Sequence, residues 1–104
     1  MKIVINNTEA SIFAGGRLLI PGTNVITDGS FNDKKDDVKD FVSNGDLTIQ
    51  DSEKMTDADK KKAVDNITTQ ENLEALEKGV KGVDTSKAKK KLDDFDKQLK
   101  KQQA

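Results

Sequence analysis

The stretch NGDLTIQDSEKMTD, Asn44 to Asp57, is where the chain changes period, and its reading decides the fold. Asn44-Gly45 is a helix stop, because glycine reaches the left-handed conformation that closes a last turn. Leu47-Thr48-Ile49 then alternates and reads as a closing strand. From Asp51 to Asp57 the only apolar residue is Met55, so this segment reads as a linker. Thr56 is placed to cap a helix running from Asp57 to Asn66. Strands before the stretch and helices after it define an α+β chain, with an α/β domain at 1–50, a linker at 51–57 and a helical domain at 58–104.

Upstream, apolar residues come in short β-branched clusters separated by Gly, Asn and Asp, which favours strands. Ile3-Val4-Ile5 is the first. Asn6-Asn7-Thr8 reads as a turn, and Ser11-Ile12-Phe13-Ala14 as a short run ending at Gly15-Gly16. Leu18-Leu19-Ile20 meets the single proline, and Ile20-Pro21-Gly22-Thr23 has Pro and Gly where a type II turn needs a fixed φ and then a positive one. Asn24-Val25-Ile26-Thr27 resumes extended chain. Phe31, Val38, Phe41 and Val42 then fall at helical spacing, with Asn32 placed as the cap. The expected first half is a small sheet of three to five strands with one helix packed on it.

Downstream the period is helical, and two to three helices are expected. Thr68-Thr69-Gln70-Glu71 fits a capping box, and Leu73, Leu76 and Val80 share one face until Gly79 and Gly82 break the run. A last helix from about Ser86 places Ala88, Leu92, Phe95 and Leu99 at intervals of four, three and four, a single apolar stripe. Isolated helices of this length are marginal in water, so a stripe on so polar a segment is expected to be an interface. The interface residues are Leu73, Leu76, Val80, Leu92, Phe95 and Leu99, packed on one another or on another subunit.

Composition excludes most chemistry. The 104 residues contain no His, Cys, Trp or Tyr, which removes thiolate nucleophiles, disulfides and ordinary zinc ligation. Hydrophobic residues make up 33% and charged residues 36%, so apolar side chains should be concentrated in the core rather than spread around a deep ligand cavity. Eighteen Lys and Arg against 19 Asp and Glu give a formal charge of -1, too little to steer the whole chain to nucleic acid or to an anionic membrane. The longest apolar runs, such as Leu18 to Ile20, are far short of the ~20 residues of a membrane span, and Met1 to Ile5 lacks the apolar region of a signal peptide. A soluble chain without an export signal is expected.

Three segments invite a functional reading. Asp28 to Lys39 places Asp28, Ser30 and Asn32 at the first, third and fifth positions of a calcium loop, but Asp33 stands where Gly is needed and Lys39 where a bidentate Glu is needed. It reads better as a solvated helix start with acidic residues near the positive end of the dipole. Gly15-Gly16-Arg17 lacks the Gly-Lys-Ser/Thr ending that opens a phosphate-binding helix, and a strand follows it, so a glycine turn is the better reading. On the last helix Lys87, Lys89, Lys90, Lys91, Lys97, Lys100 and Lys101 outnumber Asp93, Asp94 and Asp96. No aromatic is interleaved with these lysines for base stacking, so they are expected to be a solvated face first, then a docking surface for an acidic partner, then a nucleic-acid contact.

A short N-terminal strand, a strand interrupted by Pro-Gly-Thr, a helix ending in Asn-Gly and a closing Asp-Leu-Thr-Ile strand together resemble the α/β domain of small accessory proteins encoded near the capsid genes of tailed and Mu-like phages. Leu19, Pro21, Gly22, Val38, Phe41, Gly45, Leu47 and Ile49 carry the resemblance. Ile67, Thr68, Leu73, Leu76, Ala88 and Leu92 resemble the helical tail of such proteins, while Gly79-Val80-Lys81-Gly82 departs from their more charged connection. The resemblance implies a non-enzymatic virion component docked on the capsid or the head-to-tail region, found in the virion and, before assembly, in the host cytoplasm. Composition and the short apolar runs imply no cofactor, no metal and no membrane; the resemblance implies a capsid or connector protein as partner, with self-association through the helical half as a further option. The alternative is a nucleic-acid-binding accessory protein that uses the lysines of the last helix.

Overall fold

The computed structural model describes residues 1–103, and side chains as far as Leu99. The fold is α+β, as expected: a three-stranded antiparallel sheet, a separate two-stranded hairpin and four helices among the described residues. Strand β1 (Lys2–Asn6) lies at the centre of the sheet, between β4 (Gly22–Ile26) and β5 (Leu47–Asp51). Ile3 faces Val25 and Gln50 across the ladders, and Val4 faces Asn24 and Ile49.

Three consecutive β-branched residues occupy β1 because both faces of that strand are covered. Successive side chains of a strand point to opposite sides. Val4 enters one core with Ile26 and Leu47, which is closed by Ala14 and Leu19 of the hairpin β2 (Ile12–Ala14) and β3 (Arg17–Leu19), and by Val38 of helix α1 (Asp36–Ser43). Ile3 and Ile5 enter a second core with Val25. Each of the three is fully buried, which stabilises the fold by about 2 kcal/mol per side chain.

The second core crosses the 51–57 segment. Ala63 and Val64 of helix α2 (Asp57–Asp65), Ile67, Leu73 and Leu76 of helix α3 (Gln70–Gly79) and its approach, Val80, and Ala88 and Leu92 of helix α4 (Ser86–Gln103) form one cluster with Ile3, Ile5 and Val25, in which α3 lies against β4 and α4 lies against α2 and α3. Nothing within residues 1–50 covers that face of β1, so the helices do. The division into domains at 1–50 and 58–104 therefore marks a change of secondary structure, and the two parts share a core. The 51–57 connection is itself a turn, in which Asp51 accepts the Glu53 and Lys54 amides before Thr56 caps α2. Thr56 and Asp59 form a reciprocal capping box.

The outer edge of β4 is tied to the helices by hydrogen bonds. The Thr23 amide donates to the Asn66 carbonyl (2.8 Å), its hydroxyl donates to the Ala63 carbonyl (2.6 Å), and the Val25 amide donates to Asn72 Oδ1 (2.9 Å). A sheet edge that would otherwise expose unpaired donors is thereby closed. Gly22 has φ of +88°, as the second central residue of a type II turn requires, and a side chain there would collide with the Asn66 carbonyl. Asn24 braces the same turn, donating to the Ile20 carbonyl and accepting the Ile20 amide.

Two expected caps move. Asn32 is spent on a local turn, accepting the Lys34 amide at 3.0 Å, so α1 starts at Asp36 without a side-chain cap, and Phe31 lies outside the helix. Asp36 and Asp37 in its first turn compensate by facing the positive end of the dipole. At the other end of α1 the Asp46 and Gly45 amides reach the Phe41 and Val42 carbonyls, the paired bonds of a Schellman stop, with Gly45 at φ +80°. Helix α3 is capped by Thr69, which accepts the Asn72 amide, and not by a Thr68–Glu71 box. That placement leaves Asn72 Oδ1 free for Val25.

Candidate functional site

Helix α4 is 18 residues long, about 27 Å, and among its described side chains those of the first turns are the docked ones. Glu77 of α3 holds them: Thr85 Oγ1 donates to Glu77 Oε1 at 2.6 Å, and Lys89 Nζ approaches the same oxygen at 2.9 Å. These two hydrogen bonds, that of Thr85 first, hold the Glu77 carboxyl below its ordinary range. Ala88 and Leu92 are buried beneath, in contact with the core that contains Leu73, Leu76 and Val80.

The stripe then leaves the body. Phe95 is 59% exposed and Leu99 41% exposed, although they continue the face that Ala88 and Leu92 bury. Of the six expected interface residues, Leu73, Leu76, Val80 and Leu92 are thus core residues of this chain, while Phe95 and Leu99 are free. Beside them runs a groove of about 710 Å³. Its apolar lining comes from Ile67, Leu92 and Phe95, and its basic side from Lys87, Lys90 and Lys91, with Asp94 the single acidic residue. Thr68 and Gln98 complete it.

Of the basic surface read from the sequence, Lys87, Lys90 and Lys91 line the groove, Lys89 is engaged by Glu77, and Lys97 is exposed. The side chains of Lys100 and Lys101 lie outside the described residues. Ile67 and Thr68, absent from the stripe, enter the site because the α2–α3 connection passes under α4. Their spacing from α4 in sequence carries no signal of that contact.

The calcium-like and glycine segments are occupied by local structure. Asp28 accepts the Ser30 amide and pairs with Arg17, which also donates to Ser30; Asp33 pairs with Lys2 at 3.6 Å. The Ser30 hydrogen bonds, ahead of Arg17, hold the Asp28 carboxyl low. Among the described residues no group of three or more acidic side chains is placed to hold a metal ion. Gly15 and Gly16, both at positive φ, form the two-residue turn of the β2–β3 hairpin, and the Gly15 amide points at the Asp37 carboxylate. Among the described residues no helix is long and apolar enough to cross a membrane.

The chain matches no protein-family model, no curated protein and no solved structure.

Proposed function

We propose that this chain is a non-enzymatic docking protein, and that it serves in the particle of a tailed phage, on the capsid or the head-to-tail region. The observation that carries the docking reading is the divided stripe of α4, buried at Ala88 and Leu92 and open to water at Phe95 and Leu99, beside a groove edged by lysines. An apolar face left next to a polar rim has the anatomy of a protein contact. The carboxylates held below their ordinary range, Asp28, Asp51, Glu77 and Asp84, belong to turns and ion pairs outside the groove, so none is tuned as a general acid or base in it. The place in a phage particle rests on the resemblance carried by Pro21, Gly22, Gly45 and Leu47 and their companions.

The test is mass spectrometry of purified particles made with the wild-type chain and with Phe95→Lys. The wild-type chain should co-purify with particles and the variant should remain in the lysate; absence of the wild-type chain from particles would refute the virion assignment. The clustering of Lys87, Lys90 and Lys91 on one edge favours a second reading, phosphate contact with nucleic acid. That reading requires DNA affinity that falls steeply with salt, whereas a protein-docking chain binds DNA negligibly at physiological ionic strength.

A further inference from the structure

A second apolar patch lies on the β2–β3 hairpin. The Gly15-Gly16 turn sets Phe13 directly opposite Leu18, and this pair faces outward, 66% and 57% exposed, while Ala14 and Leu19 point into the core. Strand pairing does not require two large apolar residues on the solvent side, where polar or charged pairs are stabilising as well. Leu18 shares a recess with the carboxylates of Asp28 and Glu71, and Arg17 beside them is already paired with Asp28. The α4 groove is the counterpart in both respects, concave where Phe13 projects, and basic where the surroundings of Leu18 carry one carboxylate, Glu71, beyond the Arg17–Asp28 pair. The two patches also sit on elements packed against opposite faces of the sheet, the hairpin on the Val4 side and α4 on the Ile3 and Ile5 side.

We propose that the groove on α4 is filled by the β2–β3 hairpin of a second copy of this chain, with Phe13 and Leu18 set against Ile67, Leu92 and Phe95, and Asp28 and Glu71 facing Lys87, Lys90 and Lys91. This rests on the reading of α4 as a docking surface and names its occupant. A net charge of -1 leaves no long-range repulsion between copies, so the local complementarity decides the approach. The contact joins two different surfaces. Each junction therefore leaves a free hairpin at one end and a free groove at the other, and assembly continues until it closes as a ring or extends as a filament.

Sedimentation velocity of the full chain tests this, with Phe13→Lys and Phe95→Lys alone and mixed. Both substitutions are at exposed positions, and circular dichroism checks that each variant keeps the wild-type fold. Wild type should show a mass that rises with concentration beyond that of a dimer, and each variant should weaken association more than tenfold. An equimolar mixture should form a dimer and nothing larger, because one variant supplies an intact groove and the other an intact hairpin. Leu18→Lys should behave as Phe13→Lys does. Association of a folded Phe13→Lys or Leu18→Lys chain at wild-type strength would overturn the proposal in favour of contact between two α4 helices, and failure of the mixture to pair would overturn it as well. A wild-type chain that is monomeric at every concentration would overturn it too, while loss of Phe95→Lys from particles would still uphold docking through α4.

Discussion

The two ends of α4 carry one apolar stripe and meet two different fates. Ala88 and Leu92 are in the core; Phe95 and Leu99, at the same helical spacing, are in water. The difference is set by the length of the body beneath and not by the helix. The body beneath α4 is made by α2 and α3, and α4 continues past it. An amphipathic pattern therefore states that a face is to be buried, and it leaves open whether this chain or another molecule buries it.

The largest effect on this contrast is expected from Gly22→Val. It would force a β-branched residue into positive φ and drive its side chain into the Asn66 carbonyl, lifting the helices off β4. Strain and overpacking together should cost about 3 to 5 kcal/mol, and the protection of the Ala88 and Leu92 amides should fall to that of the exposed end. Hydrogen exchange along α4 is the measurement. Protection at Ala88 and Leu92 unchanged from wild type would mean that the helices do not depend on the β4 edge.

Asn72→Ala strikes the same seam more gently. The Val25 amide would lose its only acceptor at the sheet edge while staying buried, a cost of about 1 to 3 kcal/mol in urea unfolding. A loss below about 0.5 kcal/mol would show that the edge amide finds another partner.

A smaller, pH-dependent effect sharpens the docked end alone. The Glu77 carboxyl is lowered from its ordinary value of 4.5 by the Thr85 hydroxyl and then by Lys89. A carboxyl depressed in the folded chain contributes stability that is complete above its unfolded value and is lost as pH falls through the folded one. Wild type should thus loosen at the start of α4 below pH 4.5, and Glu77→Gln should show less of that acid dependence. Because Asp28, Asp51 and Asp84 are lowered too and act in the same direction, the comparison is between the two acid limbs and not between wild-type values at two pH points. Identical acid limbs would remove Glu77 from the docking of α4.

Much of this architecture is legible in the sequence where the signal is local. The Gly15-Gly16 turn, the positive φ at Gly22, the Asn44-Gly45 stop and the Thr56 cap each depend on a few adjacent residues, and each is found where those residues place it. Where a residue has two possible partners, sequence alone chooses poorly: Asn32 closes a turn instead of capping α1, and Asn72 serves a strand 47 residues away. The shared core was the least legible feature, since the buried residues that cover the second face of β1 lie far along the chain, from Ala63 onward. Phe13 and Leu18 carried half of a signal. A two-residue glycine turn fixes the register that puts them opposite each other, but Ile12, Phe13 and Ala14 are all apolar, so the face that turns outward was not legible. On α4 the stripe was legible in full, but its point of exit from the body was not.

The most direct test of the divided stripe is the unfolding free energy of isolated Phe95→Ala beside that of Leu92→Ala. Leu92→Ala opens a cavity in the core and should lose about 2 to 5 kcal/mol. Phe95→Ala, at a position 59% exposed, should lose less than about 1 kcal/mol. Equal losses from the two variants would contradict the account, because Phe95 would then be a core residue with nothing left to offer a partner.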